Sequence, residues 1–206
     1  MSTLLVIAKV PVPGRVKTRL TTRFTPQQAA DLAAAALADT LDAVVTTAAH
    51  RRVLVLDGQP GPWVPDGIEV APQCAGGLDV RLAAAFALAD GPALLIGMDT
   101  PQVTPDLLAL GLDFAEADAW FGPADDGGFW ALGLAEPDPA LLLGVPMSVA
   151  HTGKVQRQRL TDAGLTVRDL PEVCDVDTPA DAERVAVAAP WTRFAALHSG
   201  LCAVTR

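Results

Sequence analysis

A chain of 206 residues, half of them apolar, can bury one sizeable core and is expected to form one domain over residues 1–206, with a tail from about 190 that packs on it or makes a dimer contact. Its formal charge of −9 and pI near 4.6 leave no basic face for nucleic acid or an anionic membrane. Met1 leads almost directly into Leu4-Leu5-Val6-Ile7-Ala8, without a basic leader region, so neither a signal peptide nor a transmembrane helix is expected. Cys74, Cys174 and Cys202 are odd in number and widely spaced, which fits no disulfide framework and no Cys-x-x-Cys metal site. A reducing, cytoplasmic setting is the expectation.

Thr3–Ala8 is a short apolar run bounded by turn formers and reads as a buried first strand. In Lys9-Val10-Pro11-Val12-Pro13-Gly14, two prolines and a glycine forbid regular structure. Arg15, Lys17, Arg19 and Arg23 then fall within nine residues of an acidic chain. Such crowding repels itself unless an anion neutralises it. No GxxxxGK[ST] spacing occurs, so this is not a P-loop. The logic is shared, however: a strand, a tight loop, then cations placed to meet phosphate. Lys9, Gly14, Arg15, Lys17 and Arg19 are therefore candidate phosphate-binding residues, against the alternative of a solvated basic turn.

Thr25-Pro26-Gln27-Gln28 starts a helix, with Thr as N-cap, Pro first and Gln three residues after the cap; it should run to about Thr46. Arg52–Leu56 reads as strand two, Asp57–Gly67 as a Pro/Gly-rich loop and Ile68–Ala71 as strand three. Gln73-Cys74-Ala75-Gly76-Gly77 is a glycine turn entering a helix that ends near Asp90. Gly76 and Gly77, with Gln73 beside them, would let a nucleotide approach unpaired N–H groups, and an ordinary loop fits equally well.

Pro92–Gly97 is an apolar strand that delivers one carboxylate, Asp99, before Thr100-Pro101 turns the backbone away. In an open α/β sheet, ligands bind at the carboxyl ends of the strands, and a carboxylate there can hold a hard cation that holds phosphates. Thr104 caps a helix expected to reach about Ala117. Ala119–Ala124 and Phe129–Leu134 flank Asp125-Asp126-Gly127-Gly128, which reads either as a hairpin turn or as carboxylates facing a site. Pro137–Gly144 is a polar-edged helix or turn. Pro146-Met147-Ser148 leads to a helix from Thr152 to about Ala163, whose Lys154, Arg157 and Arg159 read as a solvated face. A late strand, Leu165–Leu170, precedes Asp175-Val176-Asp177, where alternate carboxylates point the same way along an extended segment. That pair needs a cation or water to relieve its repulsion, while Thr178 or Asp177 caps the helix from Pro179. Strands alternate with helices and the hairpin-like pair comes late, which predicts a three-layer αβα fold of the α/β class, mostly parallel with an antiparallel insertion.

Ala8-Lys9-x-Pro11-x-Pro13-Gly14-x-x-Lys17-Thr18-Arg19-Leu20 resembles the opening of a family of small GT-A-fold transferases catalogued with radical-SAM and arsenosugar-biosynthesis clusters. Gly97-Met98-Asp99-Thr100-Pro101 is similar to that family's G-x-D-x-P metal motif, and Gly122–Leu134 resembles its G-P-x-x-D-G-G-aromatic segment. Asp175-Val176-Asp177-Thr178-Pro179 looks like an ending shared with 2-phospholactate guanylyltransferase, and the group is also related to molybdopterin guanylyltransferase. Asp79 and Val80 stand where the family more often has Gly and Glu, and Met147 where Trp is common. The resemblance implies a GT-A (nucleotide-diphospho-sugar transferase) fold, a nucleotide or nucleotide-sugar donor, and Mg²⁺ or Mn²⁺ as cofactor.

On this reading Asp99, Asp175 and Asp177 are the metal ligands, since hard oxygens favour Mg²⁺ or Mn²⁺ over zinc. Lys17, with Arg15 or Arg19, neutralises phosphate oxygens. Asp126 orients or deprotonates an acceptor hydroxyl, with Asp125 second in line. The catalytic set is thus Asp126, Lys17 and Asp99, and the acceptor side is Asp125, Gly127, Gly128 and Ser148. The main expectation is a glycosyltransferase moving a sugar from a nucleotide sugar to a small-molecule acceptor. The alternatives are a nucleotidyltransferase releasing pyrophosphate from a nucleoside triphosphate onto a phosphorylated or hydroxyl acceptor, and a non-catalytic nucleotide-binding protein. A monomer or homodimer is expected, with no nucleic-acid or membrane partner.

Overall fold

The computed structural model describes residues 1–204. Its centre is a seven-stranded sheet built from β1 (Thr3–Lys9), β2 (Arg51–Asp57), β3 (Glu69–Pro72), β4 (Ala93–Ile96), β5 (Ala119–Pro123), β6 (Phe129–Leu134) and β7 (Val167–Asp169), in the order β3-β2-β1-β4-β6-β5-β7. β1 lies between β2 and β4 and pairs in parallel with both, so that Val6 stands opposite Leu54 on one side and Ile96 on the other. β6 alone runs against its neighbours, antiparallel to both β4 and β5. The three-layer, mostly parallel sheet with an antiparallel insertion is therefore the observed architecture.

Side chains alternate across the sheet, and the two faces carry separate cores. Leu4, Val6, Leu54 and Ile96 pack with Leu37 and Leu41 of α1 (Pro26–Thr46) and Leu108 of α3 (Pro105–Leu110). Leu5, Val53 and Leu95 pack on the opposite face with Phe86 of α2 (Leu78–Phe86) and Leu160 of α4 (Thr152–Asp162). A third cluster joins α1 to α5 (Pro179–Ala188) and α6 (Arg193–Val204) around Leu32, Val185 and Phe194. Of the tail expected from about residue 190, residues 205–206 lie outside the described residues, and Arg193–Val204 is thus a helix packed on its own chain. Asp39 of α1 holds its start, accepting hydrogen bonds from the Arg193 and Phe194 amides at 3.0 and 2.9 Å.

The capping signals determine where helices begin. Thr25 and Gln28 form a full capping box on α1, and Thr178 and Asp181 form another on α5. Helix ends depart further from expectation. α3 stops at Leu110 instead of near Ala117, with Gly111 as its C-cap, and Leu112 and Asp113 continue only in i→i+3 bonds to Ala109 and Leu110. α2 stops at Phe86, its continuation tightening into i→i+3 bonds at Leu88 and Ala89. The stretch after Pro137 holds only a 3₁₀ turn, Pro139–Leu141, capped by Asp138. Nor is the basic face of α4 merely solvated. Arg157 pairs with Asp169 at the end of β7 at 2.8 Å, and Arg159 donates to the Leu143 carbonyl at 2.6 Å. No helix among the described residues is long and apolar enough to cross a membrane.

Phe194 is fully buried in the third cluster, so Phe194→Ala should lower stability by about 3–5 kcal/mol. Urea unfolding at two protein concentrations reads this, and a loss that depends on concentration would place Phe194 in a dimer contact instead.

Candidate active site

β1, β4 and β5 all run toward one edge of the sheet, and there the chain opens a cleft of about 830 Å³. The segment after β7 is laced along this edge. Leu170 donates to the Phe121 carbonyl at 2.8 Å, Val173 to Pro123 at 3.1 Å and Val176 to Asp99 at 3.0 Å. These backbone bonds bring Asp175 and Asp177, distant in sequence, beside the end of β4. Asp99, Asp175 and Asp177 all line the cleft.

The basic loop after β1 folds inward onto these acids. Lys17 Nζ lies 2.8 Å from Asp99 Oδ2 with its side chain only 10 % exposed, and Arg19 pairs with Asp177. Lys17 adopts φ 47°, a left-handed conformation uncommon outside glycine, at the start of the 3₁₀ turn Thr18–Thr22. Gly14 and Arg15 sit on the exposed outer part of the loop and do not line the cleft. The exposed Lys9, at the end of β1, does line it.

Asp99 Oδ1 and Asp175 Oδ1 are both buried without a hydrogen-bond partner. Burial first, and the Asp99 charge second, push the Asp175 carboxyl up to about 7, while Lys17 acts in the opposite sense. Two neighbouring unsatisfied carboxylate oxygens are the donor chemistry of a hard divalent cation. Asp177, the expected third ligand, is paired with Arg19, as Asp99 Oδ2 is with Lys17. Among the described residues, no group of three or more His, Cys, Asp or Glu stands arranged around one ion position.

Asp125–Gly128 is both things its sequence allowed, the turn of the β5–β6 hairpin and, through Asp125, Asp126 and Gly128 but not Gly127, part of the cleft lining. Asp126 Oδ1 accepts the Gly128 amide at 2.7 Å, so the residue builds the turn while the rest of its carboxylate remains exposed. Gly127 has φ 87°, and a Cβ there would lie 2.0 Å from the Ala150 carbonyl oxygen. Its own carbonyl accepts the Gly153 amide of α4 at 2.8 Å, which locks the hairpin to the loop bearing Ser148. Ser148, at φ 60°, lines the cleft beside Met147.

Arg184 and Asp181 also line the cleft, and sequence reasoning passed them over. Arg184 of α5 pairs with Asp125 at 2.7 Å and Asp181 at 2.8 Å. The one signal in the sequence is the i,i+3 spacing of Asp181 and Arg184, and that reads as an ordinary helix-surface pair.

Gln73, expected beside the nucleotide, is committed to structure. Its Nε2 donates to the Ala8 and Val55 carbonyls at 2.7 and 3.1 Å, tying the ends of β1 and β2, and its Oε1 accepts from Arg81 at 3.4 Å. Gly77 is the N-cap of α2 and does not line the cleft. Gly76 lines an adjoining recess of about 350 Å³ with Asp57 and Arg81. Asp79, one of the departures from the family pattern, accepts the Gly144 amide at 3.0 Å, and that bond holds its carboxyl below the usual range.

The fold and the placing of the site define a GT-A-like protein of the nucleotide-diphospho-sugar transferase and nucleotidyltransferase superfamily. Within it, the chain belongs to the bacterial family described as "Uncharacterized protein conserved in bacteria (DUF2064)", whose model matches residues 18–149. No curated protein matches the chain. A "putative nucleotide-diphospho-sugar transferase" from Desulfovibrio desulfuricans G20 is similar with a TM-score of 0.89 and 25% identity over 98% of this chain and 95% of that one. A manganese complex of Rv0371c from Mycobacterium tuberculosis H37Rv superimposes with a TM-score of 0.56 at 22% identity, covering 89% and 97% of the two chains. A nucleotidyl transferase from Methanothermobacter gives 0.58 at 16%, covering 90% and 95%. The motif resemblance thus holds at the level of this superfamily rather than of an arsenosugar- or radical-SAM-associated group.

Gly127→Ala should cost about 1–3 kcal/mol or more through overpacking and strain, read by urea unfolding. Burial first, and the neighbouring Asp125 carboxylate second, push the Cys174 thiol up to about 12. Thiolate forms only as pH rises through that value. At pH 8, iodoacetamide should therefore label the exposed Cys74 and leave Cys174 unmodified until the chain unfolds, which peptide mass spectrometry reads.

Proposed function

We propose that this protein is a nucleotidyltransferase, joining the nucleotidyl part of a nucleoside triphosphate to a small acceptor and releasing pyrophosphate. The observation that carries the reading is the loop after β1, which sets the buried Lys17 and the exposed Arg19 against the carboxylates at the end of β4 and in the 175–177 segment. These two cations, with Lys9 also lining the cleft, suit the long anionic tail of a triphosphate better than the shorter diphosphate of a nucleotide sugar. Several similar folds bear nucleotidyl- or cytidylyltransferase names, and one, a CMP-2-keto-3-deoxy-manno-octonic acid synthetase, is complexed with CTP. Sugar transfer, the main expectation from the motifs, remains the second reading, supported by the name of the Desulfovibrio protein.

In this mechanism the acceptor oxygen attacks the α-phosphorus as its proton passes to Asp126, the bond from the α-phosphorus to the bridging oxygen breaks, and pyrophosphate departs. Lys17 and Arg19 exchange their carboxylate partners for the phosphate oxygens and neutralise the leaving group. Asp99 and Asp175 would hold Mg²⁺ or Mn²⁺ through their unsatisfied oxygens, and the bound ion would supply positive charge against the phosphates. The apolar wall of Ile7, Leu78 and Leu82 gives the nucleoside a surface to lie on.

Thermal-shift screening of nucleoside triphosphates against nucleotide sugars, each with Mg²⁺ or Mn²⁺, tests the choice. Stabilisation by a triphosphate with acceptor-dependent pyrophosphate release is expected; stabilisation by nucleotide sugars alone would reject this reading in favour of sugar transfer. Lys17→Ala should weaken triphosphate binding about 10-fold or more, as loss of a charge-assisted contact does. Asp126→Asn should lower kcat by about 10²–10⁴-fold while leaving triphosphate affinity near that of the wild type.

A further inference from the structure

Among the cations of the loop after β1, Arg15, Arg19 and Arg23 are exposed, whereas the Lys17 side chain is only 10 % exposed and its Nζ lies 2.8 Å from Asp99 Oδ2. Water screens exposed pairs such as Arg19 with Asp177; it screens this one much less. The backbone is fixed on both sides of the contact. Lys17 has φ 47°, its carbonyl accepts the Leu20 amide at 2.9 Å, and Leu20 is fully buried in the third cluster. Asp99 is held in turn, since its carbonyl accepts the Val176 amide at 3.0 Å. Two anchored segments therefore bring the ammonium onto Asp99, and its flexible four-carbon stem is what lets it turn away.

That contact bears on the divalent ion. Asp99 Oδ1 and Asp175 Oδ1 are buried without a hydrogen-bond partner, and such oxygens fit Mg²⁺ or Mn²⁺. An ion placed against them would meet a positive charge already seated on the same Asp99 carboxylate. The two carboxylates supply two negative charges, Lys17 cancels one, and an oxygen site with less charge holds a hard cation less tightly. A polyphosphate reverses the balance. It offers the ammonium a new anionic partner and adds oxygens that a hard cation can use. Each ligand thus removes an obstacle to the other.

We propose that Lys17 is an internal counter-ion that keeps Asp99 and Asp175 from taking up a divalent cation by themselves. The phosphates of the donor release the two acids by drawing the ammonium away, so metal and nucleotide bind with positive coupling. The inference rests on the reading of the cleft as a nucleotide-donor site, and it adds how metal loading there is made conditional on substrate. It holds for a triphosphate and for a nucleotide sugar alike. By linkage, the factor by which nucleotide strengthens metal binding equals the factor by which metal strengthens nucleotide binding. Loss of the Lys17 ammonium then has effects of opposite sign: Mn²⁺ alone binds more tightly and the polyphosphate less tightly. A variant that merely disturbs the loop weakens both.

The test measures Mn²⁺ binding to the full chain without nucleotide, from the electron paramagnetic resonance signal of free Mn²⁺. Lys17→Met should bind Mn²⁺ about 10-fold or more tightly than the wild type, because an opposite charge at this range changes a carboxylate's proton affinity about 10- to 10³-fold. Lys9→Met removes an exposed cation from the same cleft and should change Mn²⁺ affinity less than about 3-fold. If Lys17→Met does not fold, Lys17→Gly suits the positive φ and removes the same ammonium. Equal or weaker Mn²⁺ binding by the Lys17 variant, no measurable binding by variant or wild type, or an equal gain in Lys9→Met overturns the inference. Acceptor-dependent pyrophosphate release with no effect of Lys17 on Mn²⁺ would also overturn it and leave nucleotidyl transfer standing. A gain in Mn²⁺ affinity in a protein stabilised by nucleotide sugars alone would leave the inference standing and remove nucleotidyl transfer.

Discussion

Like-charge repulsion is the constraint that shapes this cleft. Asp99, Asp125, Asp126, Asp175, Asp177 and Asp181 share one cavity, and two unit charges 4 Å apart repel by about 4 kcal/mol at an effective dielectric near 20. The chain answers with partners fixed in position: Lys17 on Asp99, Arg19 on Asp177, and Arg184 between Asp125 and Asp181. The Val176-to-Asp99 backbone bond then holds two distant segments together despite the charge they bring. Asp175 is left without such a partner, and its raised pKa is the local sign of that imbalance.

The cations thus have two uses. Without a ligand they are the counter-ions that let acidic loops pack at one sheet edge; in the proposed reaction they are the groups that would receive a polyphosphate. Exchange between the two costs little when each cation leaves one anion for another. It also accounts for a loop rich in Lys and Arg lying next to strand β1 in a chain of net charge −9. Since folds host many chemistries, it is this arrangement, more than the sheet, that bears on the reaction.

Much of the architecture is legible from local signals. Apolar runs mark the strands, and Thr25 with Gln28 and Thr178 with Pro179 mark two helix starts. Asp99 stands out because a buried apolar strand tolerates a lone carboxylate at its end only where water, a cation or a ligand can meet the charge. Helix ends are harder: α3 ends at Leu110 and its continuation tightens into i→i+3 bonds, with no proline or N-cap-like signal at that point to mark the stop. The pairing of Asp177 with Arg19 and the bridging by Arg184 are out of reach because an ion pair is decided in three dimensions, and composition records only that both signs are present. The departure at Asp79 finds a structural use in the fold, as a tether from α2 to the Gly144 amide.

β6 enters the sheet from the same edge at which β5 leaves it, so their connection is short, little more than Asp125–Gly128. That link has no slack, and Gly127 is further pinned against Ala150. Insertions that lengthen loops elsewhere have no room in it. Within this chain, what the hairpin turn shows to the cleft is therefore set by its side chains on a fixed frame.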